Sequence, residues 1–324
     1  MDFNLSSAPE VKKLEVNENT KYDTLIIGSG PAGLNAALYL KRKGLEIAII
    51  GRQAGGQVAD TSWVENYLGI SNITGMGLVE EFEKHVLELG VPMIRYYGVT
   101  KVEKIQDGSF QVFCEDGKVY QANSLILATG ASKRKLGVPG EKEFYGRGVT
   151  YCAICDGPLY KNEDVVVAGG GNSAVEAAID LSKTSSNVKI IHRSKFRADQ
   201  ILLDKLAKIN NITTHLETEI KSINGEMGVD SITISDKTTG EVAEIKTTGI
   251  FVEIGNIPNT TMFKDLVALN AIGEIITDEV GATNVPGIYA AGDVTTVKYK
   301  QIIIAAGQGA SAALALNDWY MTRS

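Results

Sequence analysis

Two cysteines and an aspartate stand close together near the middle of this 324-residue sequence, in the segment Cys152-Ala153-Ile154-Cys155-Asp156-Gly157. A Cys-x-x-Cys pair can cycle between a dithiol and a disulfide, and the thiolate is the reactive form throughout. Asp156 directly follows the second cysteine and can give a proton to a departing thiolate. We therefore interpret Cys152, Cys155 and Asp156 as the catalytic residues of a redox reaction.

A structural metal site is the competing interpretation of a Cys-x-x-Cys pair. Zinc sites of this kind need four ligands, and the sequence has just one further cysteine, Cys114. Cys114 lies in an apolar run, which is typical of a small buried hydrophobic residue. No metal site is therefore expected.

A glycine-rich loop near the start of the sequence indicates a dinucleotide site. The apolar run Tyr22 to Ile27 predicts a buried parallel strand that leads into Gly28-Ser29-Gly30-Pro31-Ala32-Gly33, followed by a helix from Leu34 to Lys43 and a strand from Glu46 to Ile50. Glycines at this spacing allow a sharp turn, close approach of a pyrophosphate and tight helix packing. The acidic residue that often binds the adenosine ribose is missing after the second strand. We expect the backbone of Gly55-Gly56-Gln57 to line the cofactor instead.

The same strand, loop and helix pattern returns after the cysteine pair. Asp164 to Ala168 predicts a strand, Gly169-Gly170-Gly171-Asn172-Ser173-Ala174 a loop, the residues through Ser182 a helix, and Val188 to Ile191 a second strand. Alanine at the third loop position is a permitted variant. His192, Arg193 and Arg197 follow the second strand. These cationic groups favour a 2′-phosphate and hence NADPH, although a solvated basic turn is the simpler alternative.

The remaining pattern predicts an α/β fold with two Rossmann-like, three-layer ββα dinucleotide-binding domains, the second inserted into the first. A hairpin is expected at Phe110 to Cys114 and Lys118 to Tyr120, a separate strand at Ser124 to Leu127, and a strand returning the chain at Ile250 to Ile254. A helix is expected from Gln301 to Asn317. We place the first domain at residues 1–127 and 249–324, and the inserted domain at residues 128–248.

Composition narrows the class of protein. The net charge of −7 argues against a nucleic-acid-binding surface. No apolar run approaches the roughly 18–20 residues needed to cross a bilayer, and the polar segment Met1 to Thr20 has no apolar core of a secretory signal. Cysteines concentrated in one short motif fit a reducing compartment, so a cytoplasmic protein is expected.

Taken together, these motifs identify a family. From Tyr22 onward the sequence resembles the low-molecular-weight thioredoxin reductases. The residues that carry the resemblance are Gly28 to Gly33, Gly55-Gly56-Gln57, Glu65-Asn66-Tyr67, Ala128-Thr129-Gly130, Cys152 to Gly157, Gly169 to Glu176, and Ala290-Ala291-Gly292-Asp293.

The sequence is also similar to the flavoprotein reductase component of alkyl hydroperoxide reductase. This similarity rests on Gly55 to Thr61, Arg197-Ala198-Asp199-Gln200 and Tyr299 to Ile304. That component normally carries a further N-terminal thioredoxin-like module, which is not expected in this sequence.

The resemblance implies FAD in the discontinuous domain and a pyridine nucleotide in the inserted one. By match, the FAD contacts are Gly28, Ser29, Gly30, Pro31, Ala32, Gly33, Gly56, Gln57, Asn66, Gly130, Gly292, Asp293, Gln301 and Ile302. The implied NADPH contacts are Gly169, Gly171, Asn172, Ser173, Ala174, Glu176, His192, Arg193 and Arg197. Cys155 would be the thiol nearest the flavin, Cys152 would attack the disulfide of the partner, and Asp156 would handle the proton.

Further implications concern partners and motion. Thioredoxin is the expected protein partner, and a glutaredoxin-like protein or a separate peroxidase-linked carrier stays open. The resemblance implies a homodimer, and the charge and hydropathy of the sequence predict neither a nucleic-acid nor a membrane partner. The family also rotates its domains, and the hinges would lie near Ala128-Thr129-Gly130 and Phe251 to Gly255.

The basic segment departs from the pattern of the NADPH-specific members. Their His-Arg-Arg-x-x-x-Arg is represented by His192-Arg193-Ser194-Lys195-Phe196-Arg197, which lacks one arginine and one residue of spacing. NADH therefore stays possible as the electron donor. A ferredoxin-linked reductase, a dithiol oxidase and a flavin-binding sensor without turnover also stay open as functions for this sequence.

Overall fold

The computed structural model describes residues 15–61 and 63–322. The first 14 residues of the predicted polar segment, residues 1–20, lie outside the described residues. In chain order the strands are β1 (Lys21–Ile27), β2 (Ile47–Gly51), β3 (Trp63–Val64), β4 (Ile73–Thr74), β5 (Met93–Arg95), β6 (Val99–Lys104), β7 (Phe110–Cys114), β8 (Val119–Leu127), β9 (Ala131–Lys133), β10 (Val149–Thr150), β11 (Asp164–Ala168), β12 (Asn187–Ile191), β13 (Ile212–His215), β14 (Thr218–Gly225), β15 (Val229–Asp236), β16 (Val242–Lys246), β17 (Gly249–Val252), β18 (Asn256–Pro258) and β19 (Ile288–Ala290). The α-helices are α1 (Pro31–Arg42), α2 (Gly75–Glu88), α3 (Ala153–Asp156), α4 (Asn172–Leu181), α5 (Gln200–Leu206) and α6 (Ile302–Met321).

The chain divides into two compact units. Unit 1 comprises the described residues up to Ser132 and from Ile257 onward, and unit 2 comprises Lys133–Asn256. These boundaries lie later than the predicted 127/128 and 248/249. At the first boundary, the Thr129 hydroxyl donates to the carbonyl of Asn259 (2.7 Å), which keeps residues 128–132 with unit 1. At the second, β17 pairs with β11 inside the sheet of unit 2, so Phe251 lies within the unit and the chain leaves it after Asn256.

The sheet of unit 1 runs in the order β5-β2-β1-β8-β7-β6, with β19 also paired to β8. The prediction of two separate strands before residue 128 was wrong, because Val119 to Leu127 is one strand. Its first half alternates between buried and partly exposed residues and pairs antiparallel with β7. Its second half is fully buried and pairs in parallel with β1 and β19. One strand therefore joins an antiparallel layer to a parallel one.

Helices α1 and α6 cover one face of the parallel strands. Leu34 and Leu40 of α1 pack with Leu316 of α6 in one core, while Phe110 and Tyr120 belong to the core on the opposite face. Burying a side chain of this size stabilises the fold by about 1.5–3 kcal/mol. Within the described residues, no helix is both long and apolar enough to span a membrane.

The helices of unit 1 differ from prediction at their ends. Helix α1 begins at Pro31, three residues before the predicted start, because proline suits the first helical position, where no N–H partner is needed. Helix α6 continues to Met321 rather than ending at Asn317.

Unit 2 repeats the layered arrangement. A parallel sheet of order β10-β17-β11-β12-β13 lies between α4 and α5 on one face and the antiparallel sheet β14-β15-β16 on the other. The fully buried Val165 and Val167 face the helix side, whereas Val166 packs with Ile232 of the antiparallel sheet. The α/β class and the layered ββα arrangement predicted from the sequence are confirmed.

Candidate active site

The two cysteines form a disulfide at the start of the short helix α3. Their Cα atoms are 5.3 Å apart. Cys152 is the N-cap residue of α3, and its Sγ accepts a hydrogen bond from the N–H of Cys155 (3.2 Å). Both residues are half-buried. The helical turn thus holds the two sulfur atoms close enough to form and break one bond.

Asp156 lies in the same turn as the pair. Its N–H donates to the carbonyl of Cys152 (3.0 Å), and its carboxylate is hydrogen-bonded to the hydroxyl of Thr150. Burial raises the pKa of the Asp156 carboxyl, and the Thr150 hydrogen bond opposes that shift. A carboxyl whose pKa is raised keeps its proton to higher pH and can serve as a general acid.

The glycine-rich loop of unit 2 follows β11 and is tightly packed at its first two positions. Gly169 has φ +151°, and a Cβ there would lie 2.2 Å from the carbonyl oxygen of Glu253. A Cβ on Gly170 would lie 2.2 Å from the imidazole of His192. Gly171, at the N-cap of α4, has no side chain with which to cap the first N–H groups of the helix. These groups are available to a phosphate.

The other predicted nucleotide contacts on α4 differ in their exposure to solvent. Ser173 and Glu176 are exposed, and Ala174 is buried. The Asn172 side chain accepts from the N–H of Asp199 (2.8 Å) and donates to the Asp199 carboxylate (2.9 Å). Asn172 therefore ties the beginning of α4 to the beginning of α5.

His192 differs from the prediction of a cationic group. It is buried, and burial, followed by the charges of Arg197 and Arg193, lowers the pKa of its imidazole, which favours the neutral form. Arg193 and Arg197 are exposed, and the backbone N–H of Arg197 donates to the carbonyl of Gly170 (2.8 Å). The positive charge beside this loop comes from Arg193 and Arg197, from the exposed Lys195 between them, and from Lys237, whose Nζ donates to the carbonyl of Arg193 (3.1 Å).

The glycine-rich loop of unit 1, Gly28 to Gly33, is enclosed by backbone more closely than the loop of unit 2. A Cβ on Gly33 would lie 1.9 Å from the carbonyl oxygen of Gly28, and a Cβ on Gly28 would lie 2.1 Å from that of Ala128. Gly30 is the N-cap of α1 and, like Gly171, leaves the first N–H groups uncapped by its own residue. The carbonyl of Ser29 accepts from the N–H of Gly55 (2.9 Å). The loop is thus a preformed cradle for a pyrophosphate.

Other residues predicted for FAD come from distant segments of unit 1. The Gln57 amide donates to the carbonyl of Ala131 (2.7 Å), and the Asn66 amide donates to the side-chain oxygen of Gln301 (3.3 Å). A Cβ on Gly292 would lie 3.0 Å from the Cβ of Ala32. The strand ends that precede Gly28, Ala128 and Ala291 meet at one edge of the sheet, which is where nucleotides bind to parallel sheets.

The further members of the predicted set are Pro31, at the first position of α1, Gly56, at the start of a 3₁₀ turn, Gly130, with φ +64°, Asp293, half-buried after β19, and Ile302, at the start of α6.

Three features of the site were missed from the sequence. Thr150 lies two residues before Cys152 and carries no motif. Lys300 donates to the Glu274 carboxylate (3.0 Å) and to the carbonyls of Asp293 (3.1 Å) and Thr295 (2.6 Å), and so holds the turn after β19. Glu253 is an acidic residue directly after the apolar strand β17, and this contrast in the sequence was the signal that could have revealed it.

Comparison with known proteins identifies the family and the fold to which this chain is similar. Residues 22–309 match the family model described as pyridine nucleotide-disulphide oxidoreductase. A thioredoxin reductase structure from Streptococcus pyogenes superposes with a TM-score of 0.87 at 40% identity, covering 94% of this chain and 99% of that chain.

Curated relatives carry different names. An alkyl hydroperoxide reductase subunit from Escherichia coli is 42% identical over 94% of this chain, and a Bacillus subtilis protein named NADH dehydrogenase is 40% identical over 94%. The chain spans 59% and 60% of the length of these two relatives.

Proposed function

The chain belongs to the pyridine nucleotide-disulphide oxidoreductase family, and on this premise we propose that it reduces a protein disulfide with electrons from a pyridine nucleotide. The observation that carries the proposal is the Cys152–Cys155 disulfide with Asp156 in the same turn. This turn belongs to the unit that also contains the second dinucleotide cradle. The likeness to thioredoxin reductases over nearly the whole length of both chains supports it.

The cysteine pair and Asp156 divide the chemistry between them in this proposal. The reduced Cys152 thiolate attacks one sulfur of the partner's disulfide, which forms a mixed disulfide and releases a partner thiolate. Asp156 gives a proton to the leaving thiolate, and Cys155 then attacks Cys152 to release the second partner thiol. The pair is left as the disulfide seen in the structure.

FAD fits the cradle of unit 1, and a pyridine nucleotide fits the cradle of unit 2. The close approach of backbone around Gly28 and Gly33 leaves no room for side chains, and the uncapped start of α1 suits a phosphate. Bound FAD would accept two electrons from the nucleotide and pass them to the Cys152–Cys155 pair.

NADPH is the proposed electron donor. Arg193 and Arg197 are exposed beside the second loop, where they can pair with a ribose 2′-phosphate. The second candidate is an NADH-dependent reductase of a glutaredoxin-like or peroxidase-linked carrier. It is favoured by the 42% identity to the alkyl hydroperoxide reductase subunit from Escherichia coli.

Thioredoxin is the proposed protein partner, and a cytoplasmic homodimer is the proposed form of the enzyme. The similarity to thioredoxin reductases supports the partner and the assembly. A reducing compartment is proposed because the pair must return to the dithiol in every cycle.

The test is anaerobic stopped-flow reduction of the FAD-loaded protein with NADPH or NADH, followed by thioredoxin or a glutaredoxin-like protein. We expect NADPH to bleach the flavin faster and the reduced protein then to reduce thioredoxin. Faster bleaching by NADH with transfer to the glutaredoxin-like protein would favour the second candidate. No bleaching by either nucleotide would contradict both and favour a ferredoxin-linked reductase or a dithiol oxidase.

The variant Cys155→Ser separates the two halves of the reaction. It should lose disulfide reduction but still allow the nucleotide to reduce FAD. Cys114→Ala is the matched control, because Cys114 is buried in the core of unit 1 and should not affect either half. Thioredoxin reduction by Cys155→Ser at the parent rate would contradict the assigned role.

A further inference from the structure

Glu253 is a half-buried acidic residue that the proposed reaction does not yet use. It directly follows the fully buried strand β17, and Glu253 itself is half-buried. Burial raises the pKa of the Glu253 carboxyl, and the charge of Lys133 and the backbone N–H of Ala153, the residue after Cys152, oppose that shift. Burying a charged group is costly unless it has such partners, so a carboxyl here needs an explanation.

The backbone of Glu253 lies directly against the second dinucleotide loop. Its N–H donates to the carbonyl of Ala168 (2.8 Å), the residue that ends β11. Its carbonyl oxygen would lie 2.2 Å from a Cβ on Gly169, the first glycine of the loop. Glu253 is therefore fixed at the point where β11 gives way to the loop.

Strand order gives the nucleotide a direction across this loop. The sheet runs β10-β17-β11-β12-β13, so β12 and β17 flank β11 on opposite sides. Arg193 and Arg197 follow β12, which places the adenosine half of the nucleotide on that side. Because a dinucleotide crosses the carboxyl ends of the strands, its other half extends over the end of β17. Strand β10, which leads to Cys152, comes next in the same direction.

We propose that the Glu253 carboxylate recognises the nicotinamide half of the pyridine nucleotide and favours its oxidised form. This inference rests on the proposed function. Dihydronicotinamide is neutral, whereas the oxidised ring carries a positive charge, so a fixed negative charge beside it stabilises the oxidised state more. The same carboxylate lies beside Ala153, which places the nicotinamide end of the site next to the redox pair.

The test compares nucleotide binding by the FAD-loaded parent protein, Glu253→Gln and Glu253→Ala, measured by isothermal titration. Three probes are used: NADP⁺, its 1,4,5,6-tetrahydro analogue, which carries a neutral ring and donates no hydride, and 2′-phospho-ADP-ribose, which lacks the nicotinamide. Glu253→Gln should weaken NADP⁺ binding about tenfold and the tetrahydro analogue less than threefold. Binding of 2′-phospho-ADP-ribose should not change, which also reports that the loop is still folded.

Glu244→Gln is the matched control, since Glu244 is an exposed carboxylate on β16 of the same unit. It should leave all three affinities unchanged. A second readout is the reduction potential of the Cys152–Cys155 pair in glutathione buffers, which should be the same in Glu253→Gln and the parent.

Several outcomes would overturn the inference. Equal weakening of all three probes would make Glu253 a support of the loop, and a shifted potential with unchanged affinities would assign it to the cysteine pair. Unchanged NADP⁺ binding in Glu253→Gln, with normal binding by the parent, overturns this inference alone. The parent protein is also titrated with NAD⁺, its tetrahydro analogue and ADP-ribose, which lack the 2′-phosphate. If it binds neither these nucleotides nor the three probes, the proposed function fails as well.

Discussion

The two glycine-rich loops share one pattern but have different surroundings. In unit 1, a Cβ on Gly33 would collide with the carbonyl oxygen of Gly28 at 1.9 Å, and a glycine is required. In unit 2 the corresponding residue is Ala174, whose Cβ is accommodated as a buried side chain. The loop of unit 1 is also contacted by Gly55, Ala128 and segments near Gly292.

This difference indicates two kinds of ligand. A cradle enclosed by backbone from several distant segments suits a cofactor that stays bound. The loop of unit 2 has open space beside Gly171 and exposed arginines at its rim, which suits a nucleotide that binds and leaves in every cycle. The glycine pattern alone does not distinguish these two uses, whereas the contacts around it do.

Exchanging the third loop residue between the units should have very unequal effects. Gly33→Ala should cost about 1–3 kcal/mol or more in the free energy of unfolding, because the new Cβ overlaps backbone. We expect the purified protein to lose its FAD. Ala174→Gly should cost only about 1 kcal/mol through helix propensity and keep FAD.

FAD content by absorbance and urea unfolding of both variants measure this contrast. Full FAD content in Gly33→Ala would mean that the two loops are equivalent and would break the comparison.

The second prediction concerns Asp156, the proposed general acid, which lies in unit 2. Asp156→Asn should slow disulfide reduction about 10²-fold, because a general acid is lost, while flavin reduction by the nucleotide stays near the parent rate. The folded pKa of Asp156 is raised, so its ionisation costs stability above the ordinary Asp pKa. Asp156→Asn should therefore be at least as stable as the parent at pH 7.

The pH profile of disulfide reduction sharpens this assignment. The parent rate should fall as pH rises through the raised pKa of Asp156. Thr150→Val removes the hydrogen bond that lowers this pKa, so the fall should move to higher pH. A shift to lower pH would contradict the role of Thr150.

Features that depend on residues close together in the sequence could be predicted from it, whereas features that depend on contacts between distant segments could not. The two strand, loop and helix segments follow from glycine spacing and β-branched runs, which act between neighbouring residues, and their positions were predicted closely. The assignment of β17 to unit 2 was missed because periodicity marks a strand without naming its sheet. Glu253 and Thr150 matter through neighbours that only the folded chain supplies. The individual FAD and NADPH contacts stay predictions.

The third prediction concerns the rim of the second loop. Arg193→Ala and Arg197→Ala should each weaken NADPH binding about tenfold and leave NADH binding unchanged, since one charge-assisted hydrogen bond to the 2′-phosphate is lost. Equal losses for both nucleotides in a titration would show that the arginines do not read the 2′-phosphate.

The smallest expected effect concerns the turn after β19 in unit 1. Lys300→Met removes three hydrogen bonds that hold the carbonyls of Asp293 and Thr295 and the carboxylate of Glu274. FAD should bind about threefold more weakly, because the other contacts of the cradle remain. Lys298→Met is the control, since Lys298 is exposed. Equal FAD affinity in both variants, measured by fluorescence titration, would contradict a positioning role.

The inserted arrangement of the two units also sets an order of events on the ribosome. Unit 2 is one continuous stretch, Lys133–Asn256, whereas β19 and α6 of unit 1 are synthesised later. Gly292 and Gly309 must both approach Ala32 before the first cradle is closed. Because compact units fold as their residues emerge, Cys152 and Cys155 take their places while the glycine-rich loop of unit 1 is still open. The nascent chain therefore positions its thiol pair before the loop of unit 1 is complete.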